Sequence, residues 1–195
     1  FMEYAIDVAR ACHEVGVATV AVTAGYVNPA PRVDFFAHLD AANIDLKGFS
    51  ERFYKDLCTG ALAPVLDTLE YVYHETDTWL EITTLLIPGQ NDDAREIAAL
   101  TEWILEKLGP EVPLHFTAFH PDHRMLDTPR TPRSTVKMAR EIARGMGLQY
   151  VYTGNIHDPV SQGTECPNCG GLIIGRDRYN LTEWALNVRG ECGQC

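Results

Sequence analysis

Runs of apolar residues at helical spacing alternate along this chain with short runs of β-branched and aromatic residues. That alternation constrains the fold more than any other feature. A strand, a helix and a parallel strand connect in the right-handed sense, so repeated units build a parallel sheet or part of a barrel. Met2, Ala5, Ile6, Ala9 and Cys12 recur at helical spacing, and Gly16 ends the helix. Val17 to Thr23 reads as a buried parallel strand. A loop through Asn28-Pro29-Ala30-Pro31, a short helix near 33–39 and the strand Ile44-Asp45-Leu46-Lys47 follow. Ser50 opens another helical stretch, and a helix runs from about Leu62 to Tyr73.

The strand "TWLEITTLLIPG" ends at Pro88-Gly89. Asp93 and Glu96 then form a capping box, with Ile97, Leu100, Ile104 and Leu108 as the core stripe behind it. Next come the strand "PLHFTAFHP" and a helix with Thr131 as N-cap, Pro132 at the first helical position and Gly147 near its C-cap. The last strand is "LQYVYTGN". Five strands are too few for a closed eight-stranded barrel.

Composition narrows the function. No apolar run approaches the ~20 residues that cross a bilayer, so no membrane contact is expected. The net charge of −11 is spread along the chain, against a nucleic-acid or anionic-membrane surface. Glu3 interrupts the opening "FMEYAIDVARACHEVG", which is no signal peptide, and a cytoplasmic location follows as the expectation. The chain opens inside a helix, on Phe1, as if within a longer protein.

In a parallel α/β assembly, chemistry gathers at the C-terminal strand ends. Here those ends carry Thr23-Ala24-Gly25-Tyr26, Asp45-Leu46-Lys47-Gly48, Thr83 to Gly89 with Asn91-Asp92, and Phe119-His120-Pro121-Asp122-His123-Arg124. Asp45 and Lys47 are two residues apart in a strand, so they share a face. Either they satisfy each other or they hold a ligand. A carboxylate, an ammonium, an imidazole and glycine backbone around one mouth suit a small zwitterion such as an amino acid.

Four of the six cysteines form two pairs, Cys166-Pro-Asn-Cys169 and Cys192-Gly-Gln-Cys195. The spacing matches a zinc ribbon, with Gly170 and Gly193 suiting the knuckle turns. Zinc is the expectation; a rubredoxin-like iron site, an auxiliary iron–sulfur cluster and free thiols are the alternatives. Cys12 reads as a small core residue, and His74 and His157 as surface residues.

The segments "VTAGY", "NIDLKGFSERFYKDL", "EITTLLIPGQNDD", "HFTAFHPDHRMLDTPRTP", "YVYTGN" and "CPNCGG … RGECGQC" occur in an order that resembles the radical S-adenosylmethionine (SAM) enzymes. More narrowly, the chain looks like the AmmeMemoRadiSam-system proteins, relatives of the pyruvate formate-lyase activating enzyme. The resemblance implies an α/β fold: a partial (βα)6 barrel lacking its first two strands over residues 1–160, with a zinc-ribbon-like module over 161–195. It implies an enzyme in which a [4Fe–4S] cluster reductively cleaves SAM to a 5′-deoxyadenosyl radical that abstracts hydrogen. The implied partners are an electron donor such as flavodoxin or ferredoxin and a substrate that could be a protein.

Residue by residue, the resemblance places Lys47 at the methionyl carboxylate and has Asp45 orient Lys47 or the polar groups of SAM. It sets His120 near the ribose or adenine, and the backbone of Pro88 and Gly89 beside the adenine. Thr23 and Gly25 match a strand-end Thr-Asn-Gly pattern in which Ala24 replaces Asn. The Cys-x-x-x-Cys-x-x-Cys motif that holds the catalytic cluster is absent from these residues, as is the Gly-Gly-Glu run. The chain is therefore expected to be a fragment, inactive alone and with an exposed sheet edge. Two other functions fit the residues: a non-catalytic zinc-ribbon interaction scaffold, or a metal-dependent (βα)-barrel lyase or hydrolase using Asp45, Lys47 and His120.

Overall fold

The computed structural model describes residues 1–195. Its first part runs α1 (Met2–Glu14), β1 (Val20–Thr23), α2 (Pro29–Phe36), β2 (Ala41–Asp45), α3 (Glu51–Asp56), α4 (Ala63–Glu75), β3 (Trp79–Leu86), α5 (Ala94–Lys107), β4 (Leu114–Ala118), α6 (Arg133–Met146) and β5 (Val151–Gly154). All five strands are parallel and lie side by side in chain order. A six-stranded barrel short of two strands would leave four; this sheet has five. Right-handed crossovers between successive strands put α4, α5 and α6 on the same face. The other face stays open.

Alternate residues of each central strand decide which face is which. Ala42 and Ile44 of β2, Leu80, Ile82 and Leu86 of β3, and Leu114 and Phe116 of β4 are buried against the helices. Val65, Leu69 and Val72 of α4, Ile97, Leu100 and Ile104 of α5, and Val136, Ala139 and Ala143 of α6 supply the facing stripes. Burying a Leu or Ile side chain contributes about 1.5–3 kcal/mol, so this single layer carries the fold's stability. On the open face, Asp45, Thr83, His115 and Tyr152 stand in one row, because Asp45 pairs with Thr83, Thr83 with His115 and His115 with Tyr152.

Several local expectations need correction. β1 is not buried: Val20 is 65% and Val22 79% exposed, since both point to the uncovered face of a strand at the sheet edge, while Ala21 and Thr23 on the helix side are half-buried. A β-branched run reads alike at an edge and at a centre, because burial comes from the neighbour. The edge itself is the exposed one expected. α2 starts at Pro29, the favoured first helical position, and ends at Phe36. The capping box at Asp93 is half formed. Asp93 accepts from Arg95 N, while Glu96 turns away to accept from Phe49 N at 2.7 Å. Thr131 caps nothing; Pro132 is the N-cap of α6. The buried Thr131 hydroxyl instead donates to Leu86 O at 2.5 Å and accepts from Phe119 N at 2.9 Å, tying β4 to the end of β3.

After β5 come α7 (Pro159–Gln162), β6 (Thr164–Glu165), β7 (Leu172–Asp177) and β8 (Asn180–Trp184), the strands forming an antiparallel sheet β6-β7-β8. α7 touches both β5 and β7. Buried Thr153 and Ser161 share a hydroxyl hydrogen bond at 2.7 Å, Tyr152 Oη and Thr164 Oγ1 another at 2.9 Å, and Arg144 of α6 reaches Glu165 at 2.5 Å. No helix is long and apolar enough to cross a membrane.

Candidate functional site

The ladder of β2 stops at Asp45, yet the chain runs on through Lys47 to Phe49 held by side chains from other elements. Thr84 Oγ1 donates to Leu46 O at 2.8 Å. Lys47 N donates to the Tyr54 hydroxyl at 3.2 Å, and Asn91 Nδ2 donates to Lys47 O at 2.6 Å. Asn91 is 2% exposed and also accepts from Ile87 N and donates to Leu85 O. Glu96 holds Phe49 N. Four side chains thus fix the main chain on either side of Lys47. Sequence reasoning saw Asn91 only as a residue after a strand. Its buried position was the missing signal, and only tertiary structure supplies it.

Lys47 Nζ stands 2.7 Å from Asp45 Oδ2, with the two side chains 41% and 29% exposed. They face the same way, as their spacing required. They border a cavity of about 390 Å³ with Ala24, Tyr26, Tyr54 and Cys58. Burial pushes the Tyr54 phenol up, and Lys47's hydrogen bond only partly offsets this, so the ring oxygen stays protonated. Burial also raises the Cys58 thiol, against the pull of the Lys47 ammonium. The cavity therefore presents one ammonium, one carboxylate, two neutral polar groups and apolar wall. A site of this size, mostly apolar with a few placed charges, suits a small organic zwitterion.

The other sequence-derived residues are placed differently. Thr23 pairs with Ile44 on the helix side of the sheet, and its hydroxyl accepts from Gly25 N at 3.2 Å. Gly25 has φ +64, and a Cβ there would lie 2.7 Å from Ile44 Cγ2. Together they build the turn that delivers Ala24 and Tyr26 to the cavity wall, without lining it themselves. Pro88 and Gly89 form the turn after β3, where Gly89 N donates to Asp92 Oδ1 at 2.8 Å. Neither borders the Lys47 cavity. His120 is exposed just beyond β4 and is not brought into it either. His115 points to the open face, where its Nε2 meets Glu81 Oε2 at 2.7 Å and its ring stacks on Tyr152.

The second site is the cysteine cluster. The four Sγ atoms of Cys166, Cys169, Cys192 and Cys195 lie within 4.8 Å of one another. Cys166–Cys195 and Cys169–Cys192 are each 3.8 Å apart. Four sulfurs about 2.3 Å from a central ion sit about 3.8 Å from each other in a tetrahedron, so the donor set fits a tetrahedral thiolate metal. Gly170, at φ +73, turns the first knuckle so that its N–H reaches Cys166 O. At the second, Gly193 N bonds Ala185 O, and a Cβ there would lie 2.9 Å from that oxygen. The backbone amides of Cys169 and Asn168 donate to the Cys166 sulfur and bring its thiol down to about 7, readying a thiolate. These four are the one group of three or more metal-type side chains in the molecule. Asp45 and His120 belong to no such group.

The chain is 37% identical over all 195 residues to the uncharacterized protein MJ0808 of Methanocaldococcus jannaschii and spans 57% of that protein's length. No protein-family model matches it. Among solved structures, a domain of the pyruvate-formate lyase-activating enzyme from Bacteroides vulgatus superposes with a TM-score of 0.68 at 19% identity, over 79% of this chain and 91% of that one. TYW1 with a lysine-pyruvate adduct bound gives 0.51 at 19% identity, over 71% of this chain and 44% of that one. A radical SAM methyltransferase from Sphaerobacter thermophilus aligns more loosely, at 0.49 and 12% identity, over 78% and 37%. The fold is the α/β partial barrel that the sequence resemblance implied, with a four-cysteine cluster at its C-terminal end.

Proposed function

We propose that this chain, which shares its fold with a pyruvate-formate lyase-activating enzyme domain, is the part of a radical SAM enzyme that holds the methionyl end of SAM. The Asp45–Lys47 pair carries the reading. It lies at the C-terminal end of a parallel strand, on the open face, beside a cavity of about 390 Å³. Lys47 receives the methionyl carboxylate as a point charge, and Asp45 orients Lys47 or accepts from the methionyl ammonium. An ion pair of this exposure contributes only about 0–1 kcal/mol to folding, so its placement is better explained by a ligand.

SAM, when bound at a reduced [4Fe–4S] cluster, supplies a 5′-deoxyadenosyl radical for hydrogen abstraction. The cysteines of this chain do not fit that cluster. No Cys-x-x-x-Cys-x-x-Cys occurs among them, four gather in the C-terminal module, and Cys12 and Cys58 are isolated. Cluster ligands would come from outside these residues, and the 195 residues alone would be inactive. What they do is bind and shield. Asn91 and Tyr54 fix the Lys47 main chain, Ala24 and Tyr26 wall the cavity, and neutral Tyr54 and Cys58 leave the charges of Asp45 and Lys47 uncompeted.

In this reading His120 approaches the ribose or adenine, Pro88 and Gly89 offer backbone to the adenine, and Thr23 and Gly25 shape the turn beside the ligand. Residues 1–160 form the barrel portion and residues 161–195 a structural zinc-ribbon module. An electron donor such as flavodoxin or ferredoxin and a cytoplasmic setting belong to the same proposal, within a pyruvate formate-lyase activating enzyme-like, AmmeMemoRadiSam-type protein.

The test is calorimetric titration of the chain with SAM. Lys47→Met is expected to weaken binding about 10- to 100-fold, the loss of a charge-assisted hydrogen bond, with the melting temperature nearly unchanged. Equal affinity in wild type and variant would sink the proposal.

A further inference from the structure

A second cleft lies on the same open face, under the turn of the β7–β8 hairpin. Two adjoining cavities of about 350 and 430 Å³ share Gln162 and Arg178. Arg176, His115 and Tyr152 border the first, and Arg130, Asn155 and His157 the second. In a chain of net charge −11, three guanidinium groups converge here. Arg130 donates to Asn155 O at 2.7 Å, and Arg176 to Thr164 Oγ1 at 2.7 Å and Gln162 O at 3.2 Å. Those acceptors are neutral, and none of the three guanidinium groups stands within ion-pair distance of a carboxylate.

The carboxylates present are already engaged. Glu81 spends one oxygen on His115 Nε2 at 2.7 Å and the other on Trp79 Nε1 at 3.2 Å. The His115 hydrogen bond and, more weakly, the charge of Arg176 hold its carboxyl below the usual value. Asp177 faces His157 at 3.1 Å.

Arg178 is the informative residue. The hairpin closes through two residues, Arg178 and Tyr179, between the paired Asp177 and Asn180. Arg178 has φ +55, a conformation that glycine adopts freely and residues bearing a Cβ adopt uncommonly. Strained backbone of this kind costs about 1–3 kcal/mol, persists where the surrounding structure holds it, and clusters at binding and catalytic sites. The side chain set there borders both cavities.

We infer that this cleft binds a small organic molecule through an oxyanion, phosphate or carboxylate, held by Arg178 and Arg130 with Arg176 behind them. The row Asp45–Thr83–His115–Tyr152 places Tyr152, on the far wall of the cleft, about three strand spacings, roughly 14 Å, from the Asp45 position, with His115 and Glu81 on the strands between. If the function proposed above holds, the oxyanion belongs to the substrate; the binding itself does not depend on that reading.

The probes are phenyl phosphate and benzoate, titrated by calorimetry into the zinc-loaded protein without SAM or cluster. Saturable binding of at least one, one per chain, is expected. Phenyl phosphate alone would assign a phosphorylated ligand, and benzoate alone a carboxylate. Arg178→Gly is expected to weaken binding about tenfold or more while the protein melts at an equal or higher temperature, because glycine relieves the turn. Arg130→Gln, outside the hairpin, is expected to weaken binding as well. No saturable binding of either probe, or undiminished binding in both variants, overturns the inference. Neither outcome bears on SAM binding at Lys47, which its own titration reads separately.

Discussion

Asn91 does more for the candidate site than any residue that touches the cavity. Its amide serves three main-chain groups, on Lys47, Leu85 and Ile87, from a buried position. Removing it leaves a buried N–H and two carbonyls unpaired, each costing about 1–3 kcal/mol. Asn91→Ala is expected to destabilise the fold by about 2–4 kcal/mol, some of that sum being recovered by relaxation. Chemical denaturation measures this, and a loss below about 0.5 kcal/mol would mean that the latch is dispensable. Lys47→Met makes the contrast, since it should move ligand affinity and leave stability almost still. The Asp45–Lys47 pair was legible in the sequence because strand period alone puts i and i+2 on one face. Asn91 and Glu96 were not, because each acts on a backbone atom of Lys47 or Phe49 far away in sequence, and Tyr54 was not, because only the fold of α3 turns its hydroxyl back to Lys47 N.

Among the elements, the helices and strands could be read because each has one apolar face. What periodicity cannot report is which side of β1 has a neighbour, and so its exposure was misjudged. Nor can it tell a cap from a latch: Thr131 and Glu96 stand where caps stand, but bond across to Phe119 and Phe49. The C-terminal module raises a different point. Strands β6, β7 and β8 are short, and β8 is exposed along its whole length, so its apolar burial is small. A structural metal at four cysteines supplies about 10–16 kcal/mol in comparable small modules. One zinc per chain is expected from elemental analysis, with the four thiols of Cys166, Cys169, Cys192 and Cys195 unreactive toward Ellman's reagent until a chelator strips the metal. Stripping the metal should leave far-UV helicity in place, because helices α1 to α6 lie outside the module. Thiols that react freely in the untreated protein, with no bound metal, would contradict the assignment.

At the scale of the whole molecule, five parallel strands with α4, α5 and α6 on one side leave a polar sheet face that carries both clefts. Asp45 and Lys47 lie toward β2, and the arginines lie toward β5 and the β7–β8 hairpin. A ligand with its reactive centre near the first and an acidic group in the second would span the face. The same arrangement leaves β1 with an unpaired edge. The chain spans 57% of its Methanocaldococcus jannaschii relative. The binding proposed at β2 needs only these residues. The direct test is a crystal structure grown with S-adenosylhomocysteine, which lacks the sulfonium methyl but keeps the α-amino and α-carboxylate groups of SAM. The account requires its carboxylate within hydrogen-bond distance of Lys47 Nζ, in the cavity bordered by Ala24 and Tyr26. Clear density for the ligand elsewhere, with Lys47 still closed on Asp45, would contradict it.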